Sequence, residues 1–256
     1  MQQWFETPPG RVLLAWEQAE FDRAVGDIFG YHALQMGLPG LQALRANRMP
    51  HRWLALGSAP AAGSPRPDLV TEFSALPFEE NSLDLVVLPH SLELNVDPHA
   101  TLREVERVLV PEGKVVICCL NPASLWGLRQ RRAHVYRRFG FGELYLPDAG
   151  DFIGYWRLRD WLRLLSFEVE ASSFGCYRPA LQTEKWLERF AWMDAVGERS
   201  WPIFGAAYFL VAVKRVRGAR LIEPAWKAEK ATRIAAAPVP IANRSRRDAR
   251  EPATVE

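Results

Sequence analysis

From Trp53 onward the chain alternates short apolar runs with stretches of helical period, and this alternation narrows the fold more than any other feature. Trp53-Leu54-Ala55-Leu56 stops at Gly57 as a buried strand would, and Leu69 to Phe73 is a weaker strand candidate. Leu83-Asp84-Leu85-Val86-Val87-Leu88 is a third strand. A helix from Pro98 to Leu109 follows, with Asp97 as its cap and Leu102, Val105 and Leu109 on one face. The turn Val110-Pro111-Glu112-Gly113 stops it, and Lys114 to Leu120 returns as a fourth strand. Helix Leu158 to Leu165 leads into strand Phe167 to Ala171, and Ala207 to Val213 is the last strand. Strands separated by helices predict an α/β fold with a mostly parallel sheet.

The first 52 residues read as a helical segment. Thr7-Pro8-Pro9 is a start signal, and Leu14, Phe21, Val25 and Ile28 share one helical face. Gly30-Tyr31-His32 and Gly37-Leu38-Pro39-Gly40 break that pattern, and a shorter second helix is expected after them. The expected organisation is therefore a helical segment at 1–52, an α/β domain at 53–215 and a tail at 224–256. The formal charge of +2 conceals an asymmetry, because residues 214–256 carry a net +6 and the first 213 a net −4. Rich in Ala, Pro and Arg, the tail has too little apolar surface to offset its chain entropy and is expected to be disordered. Weak contact with nucleic acid or an anionic surface is one role for it, and solubility is the other.

Composition removes several classes. With 48% hydrophobic and 24% charged residues the chain is neither fibrous nor wholly disordered. The longest apolar run, Phe204 to Val213, is ten residues and too short for a membrane span. The start Met-Gln-Gln-Trp-Phe-Glu lacks a signal-peptide pattern, and three cysteines with neither paired nor metal-ligand spacing suit a reducing cytoplasm. No Cys, His or carboxylate cluster has the spacing of a metal site.

Ligands of open parallel sheets sit at the carboxyl ends of the strands. Those ends read Gly57-Ser58-Ala59, Glu72-Phe73 and Leu88-Pro89-His90-Ser91. A nucleoside needs close backbone approach, an acid and an apolar slot. Glu72 is placed to accept from an adenine amino group, the Phe73 N–H to donate to a ring nitrogen, and Leu76-Pro77-Phe78 to wall the base. His90 is the candidate general base, because an imidazole titrates near neutrality; the alternative is a histidine that caps or packs against the next helix. Glu104 and Arg107 read as a solvated surface pair. Arg129, Arg131, Arg132, Arg137 and Arg138 read either as a cationic lid over an anionic acceptor or as a surface helix.

Three spaced blocks, Phe73 to Phe78, Asn81 to Val86 and Leu102 to Gly113, resemble class I S-adenosylmethionine-dependent methyltransferases, and most closely their type 11 domain; Gly30-Tyr31-His32 and Asn121 to Arg129 are similar to a small bacterial subgroup of methyltransferase-like proteins. The resemblance runs from about Trp53 to Arg215. It implies a Rossmann-like sheet with an antiparallel last strand, S-adenosylmethionine as cofactor, and Gly57, Glu72, Phe73 and Leu88 as cofactor contacts, with Glu72 at the adenine. The methyl acceptor, small or macromolecular, stays open. The family's first strand ends in Gly-x-Gly-x-Gly; aligned at Gly57, the chain has Ala59 and Ala61 at the later places. In the family a helix and a second strand ending in a ribose-binding acid come next. Only eleven residues separate Gly57 from Leu69, against the roughly thirty of a strand–helix–strand unit. The expectation is a sheet one strand–helix unit short, with a degenerate cofactor loop. Two functions follow: a methyltransferase with an altered site, or a non-catalytic methyltransferase-like binding module.

Overall fold

The computed structural model describes residues 2–59, 66–141, 144–147 and 152–216. The expected tail at 224–256 lies outside the described residues.

Thr7 opens the long N-terminal helix as expected. Its hydroxyl accepts from the Gly10 N–H, and Pro8 and Pro9 occupy the first turn, where a missing N–H costs nothing. This helix, α2 (Pro8–Gly26), follows a single turn, α1 (Gln2–Phe5). Its buried stripe is Leu13, Glu17, Glu20, Phe21 and Val25, with Leu14 only half-buried.

The next element corrects the sequence reading. Residues 1–52 are not all helical, because His32–Met36 forms strand β1. It pairs in parallel with β2 (His51–Leu56) on one side and β4 (Leu83–Pro89) on the other. β1 is held at its start by Asp84, whose carboxylate accepts from the N–H groups of Tyr31 and His32 at 2.8 and 2.9 Å. The run Trp53–Leu56 therefore belongs to the second strand of the sheet, and the strand thought missing is present.

The helix half of that unit is what the chain lacks. Residues 37–50 link β1 to β2 through turns, with Leu38, Leu41, Ala43, Leu44 and Met49 buried. The Gln35 side chain holds this loop: its amide donates to the carbonyls of Gly37, Leu38 and Leu41, and its oxygen accepts from the Ala43 N–H. Asn47 completes the anchorage by donating to the carbonyls of Val25 and Ile28 at the end of α2. Side-chain amides thus do locally what a helical ladder would do.

β3 (Leu69–Val70) adds to β2, α3 (Pro98–Val108) carries the chain across, and β5 (Leu109–Leu120) adds to β4. The turn expected at Val110–Gly113 is instead an irregularity inside β5, where the pairing with β4 shifts register. After α4 (Leu125–Arg138), α5 (Tyr155–Leu164), β6 (Phe167–Gly175), α6 (Glu184–Arg189) and α7 (Trp192–Ser200), the chain ends its described part in β7 (Ala207–Lys214). β7 runs antiparallel between β5 and β6, giving the order β3-β2-β1-β4-β5-β7-β6. The mostly parallel sheet with an antiparallel last strand is the expected fold.

Alternation along the strands divides the core. Leu85, Val87, Val116 and Cys118 pack with α2, the 37–50 loop and Trp126. Val86, Leu88, Val115 and Ile117 face α3 and α5 on the other side.

Candidate active site

β1 leads outward to β2 and β4 leads outward to β5, so the switch point of the sheet lies between the carboxyl ends of β1 and β4. Gly37 follows β1 with φ +82, and its N–H donates to the Ala55 carbonyl of β2. A side chain there would clash, since a Cβ would stand 2.8 Å from Ser91 Oγ and 3.8 Å from the Phe73 ring. Ser91 in turn donates its hydroxyl to the Met36 carbonyl, tying the end of β4 to the end of β1.

The expected site residues separate into two groups. Gly57 ends β2 and is exposed, and a Cβ on it would meet only the Phe73 ring at 4.0 Å. Phe73 therefore stands over two glycines, Gly37 and Gly57, that end adjacent strands. Glu72 beside it is exposed, and among the described residues no side chain pairs with its carboxylate. Glu72, Phe73, Gly37 and Gly57 thus share one end of the sheet. Leu88 does not join them: its side chain is fully buried in the core that faces α3.

The first glycine of the turn is Gly37, which sequence reasoning passed over, with Leu38-Pro39-Gly40 behind it. The alignment that put Ala59 and Ala61 in the glycine turn is corrected with it, since Gly57 closes the second strand. β2 ends in Leu56-Gly57, with no carboxylate where the family carries its ribose acid.

The loop after Phe73 is fixed from below. Glu104 accepts from the Leu76 N–H at 2.8 Å, and Arg107 donates to the Phe78 carbonyl at 2.9 Å. Expected as a solvated surface pair, Glu104 and Arg107 are half-buried and clamp the Leu76-Pro77-Phe78 segment onto α3. Arg107 bonds to the Glu104 carboxyl and holds it below the usual carboxylate range, against a smaller opposing effect of burial.

His90 sits deeper than a base can work. It is fully buried with φ +54, its Nε2 lies 2.6 Å from Glu17 Oε1 and its Nδ1 lies 2.9 Å from Glu93 Oε2. The other Glu93 oxygen accepts from the Leu120 N–H, and the Phe5 ring lies 5.7 Å from the imidazole. Burial by itself would push the imidazole down, but the two carboxylates outweigh it and raise His90 to about 10. Burial likewise pushes the Glu93 carboxyl up, with His90 pulling it back. Both ring nitrogens are engaged by carboxylates and neither meets solvent, so neither is presented to an acceptor's proton. The general-base expectation is corrected on that ground.

Glu17 was missed by sequence reasoning. The available signal was a carboxylate in a helix stripe between Leu13 and Phe21, a place a lone charge does not occupy without a partner. Glu17, His90 and Cys118 also bring oxygen, nitrogen and sulfur atoms within 4.8 Å of one another. The Nε2–Oε1 contact is a direct hydrogen bond with no room for an ion between the atoms, so we read the group as an ion-pair network.

The strand order is that of a Rossmann-like methyltransferase sheet. The chain belongs to the class I S-adenosylmethionine-dependent methyltransferases, and the methyltransferase-domain family model matches residues 55–117. It is 31% identical over 173 residues to the uncharacterized protein YafS of Escherichia coli (strain K12), covering 67% of each chain. It is also 31% identical over 93 residues to malonyl-[acyl-carrier protein] O-methyltransferase 1 of Coxiella burnetii, a match spanning 36% of this chain and 32% of that one. Among solved structures, a S-adenosylmethionine-dependent methyltransferase of Thermotoga maritima aligns with TM-score 0.54 at 14% identity, over 84% and 94% of the two chains. A chain from the complex of the Haloferax volcanii Trm112 methyltransferase activator with a methyltransferase aligns at 0.53 and 21% identity, over 78% and 90%. The [4+2]-cyclase SpnF aligns at 0.51 and 18%, over 78% and 80%. These structural likenesses establish the fold.

Proposed function

We propose that the protein transfers a methyl group from S-adenosylmethionine, with the adenosine seated over the ends of β1 and β2. One observation carries this reading: the Phe73 ring covers Gly37 and Gly57 at the ends of neighbouring strands, with the exposed Glu72 carboxylate beside it. These residues fit an adenosine. Gly57 keeps the backbone bare beside the Phe73 ring, Glu72 offers an acceptor for an amino group, and the Leu76-Pro77-Phe78 segment is fixed by α3. When bound, the cofactor supplies a methyl group on a sulfonium whose leaving group departs neutral. The protein's task is then alignment and exclusion of water more than proton transfer. That division suits a site whose histidine is locked. His90 acts as a positioning residue, joining α2 to the end of β4, and Phe5 closes over it. The buried free thiols Cys118, Cys119 and Cys176 support a cytoplasmic location.

Calorimetry with S-adenosylmethionine and S-adenosylhomocysteine tests the reading. Binding is expected, and Glu72→Ala is expected to weaken it by about tenfold, from loss of one charge-assisted hydrogen bond. No heat at high ligand concentration overturns the cofactor assignment; unchanged affinity in Glu72→Ala overturns the adenine contact. A second reading, a methyltransferase-like binding module without turnover, draws on the missing carboxylate at Leu56-Gly57.

A further inference from the structure

Among the described residues, the second half of α4 stands exposed. Trp126, Gly127, Gln130 and Ala133 bury its first turns against the domain, but every residue from His134 to Phe141 is exposed. Phe139 and Phe141 are 72% and 73% exposed. This end is closed, not frayed. Gly140 takes φ +81, the Phe141 N–H donates to the Tyr136 carbonyl, and the Gly140 N–H donates to the Arg137 carbonyl. Those two bonds are a Schellman motif. A helix carried beyond its support and then capped leaves its side chains on the surface.

The charge on that helix is of one sign. Between residues 121 and 142 there is no Asp or Glu, and there are five arginines. Arg129 is used internally, donating to the Ala180 carbonyl and lying 4.5 Å from the Tyr145 ring. Arg131, Arg132 and Arg138 are exposed alongside Leu125, Leu128, Val135, Tyr136 and the two phenylalanines. Nucleic-acid surfaces use aromatic rings to stack bases, but Leu and Val offer a base nothing to stack on. Aliphatic and aromatic side chains among arginines match the boundary between lipid headgroups and acyl chains.

We propose that α4 docks the protein on the surface of an anionic phospholipid bilayer. Arg131, Arg132 and Arg138 meet the phosphates, and Phe139 and Phe141 enter the acyl boundary. The protein lies on the membrane by this contact; no helix among the described residues is long and apolar enough to cross it. The inference is independent of the cofactor reading.

Flotation of the full chain with vesicles tests it, comparing phosphatidylcholine alone with phosphatidylcholine mixed with phosphatidylglycerol. The wild type is expected to float only with the anionic vesicles, and less as salt rises. The triple variant Arg131→Glu/Arg132→Glu/Arg138→Glu is expected to lose about a hundredfold or more in partitioning. Phe139→Ser/Phe141→Ser is expected to weaken binding while keeping its salt dependence. All variants retain residues 217–256, so the tail's charge is constant, and circular dichroism checks that they remain folded. Absence of flotation, or flotation unchanged in both variants, overturns the proposal. So does binding to a single-stranded RNA homopolymer that the arginine variants abolish while vesicles are ignored.

Discussion

Replacing His90 by asparagine should destabilise the protein strongly near pH 6.5 and only weakly near pH 10. Asparagine tolerates the left-handed backbone at this position, φ +54, so the change tests the side chain and not the turn. In the wild type the imidazolium lies between Glu17 and Glu93, all three essentially without solvent contact. Its folded value of about 10 exceeds the unfolded 6.5. Stability from this proton is therefore complete below 6.5 and lost as pH rises through about 10. At 1.36 kcal/mol per pH unit the span is worth roughly 5 kcal/mol. The raised Glu93 carboxyl acts in the same direction, since ionising it in the fold costs more as pH rises. Asparagine leaves two buried carboxylates without a cation, a loss of about 3–5 kcal/mol. At high pH the wild type has lost that cation too, and the difference narrows to about 1–2 kcal/mol for lost packing and hydrogen bonding. Urea unfolding followed by tryptophan fluorescence, at the two pH values on both proteins, measures the narrowing. Taking the difference cancels lysine and tyrosine titrations common to both. An equal gap at both pH values, or a His90 NMR titration near 6.5, refutes the reasoning.

Two other substitutions test the frame of the site. Lys214→Met removes an ammonium that donates to Asn81 Oδ1 and to the carbonyls of Glu106 and Leu109 at 2.7–2.9 Å; a loss of about 3 kcal/mol in urea unfolding is expected, from stranded acceptors at the end of α3. Gln35→Leu removes the four bonds that hold the 37–43 turn, and is expected to lower S-adenosylhomocysteine affinity by about tenfold in calorimetry while the sheet stays folded; unchanged affinity would mean that the turn does not touch the ligand.

Much of the fold was legible because its elements carry local signals. Asp97-Pro98 starts α3 as read, the Asp97 carboxylate accepting from the Ala100 N–H at 2.9 Å. The run Leu83–Leu88 is apolar because β4 is covered on both faces. By contrast, His32-Ala-Leu-Gln-Met has no β-branched residue and only five positions, so nothing in its own composition marks it as a strand. Its place comes from partners distant in sequence: His51 to Ala55, Leu85 to Val87 and the Asp84 carboxylate. His90 was legible as a strand-end imidazole but not as an imidazolium, because Glu17 reaches it across 73 positions.

Missing β1 also misdirected the argument from length. Counting from Gly57 placed the shortage in a helix and a strand together, whereas counting from Gly37 places it in the helix alone. The difference matters chemically. A glycine turn that opens a helix presents a crown of N–H groups and the positive end of the helix dipole. Here the turn leads into a loop that Gln35 holds through the carbonyls of Gly37, Leu38 and Leu41 and the Ala43 N–H, so it offers close approach without a helix dipole behind it. On the proposed seating, the polar end of the cofactor is held without a helix N-terminus, and neither Ser91 nor His90 has a free side chain to add. The Ser91 hydroxyl is spent on the Met36 carbonyl, and His90 is spent on two carboxylates. If the adenosine is seated as proposed, that end is the part of the cleft the side chains leave open, and binding energy should concentrate on Glu72 and Phe73.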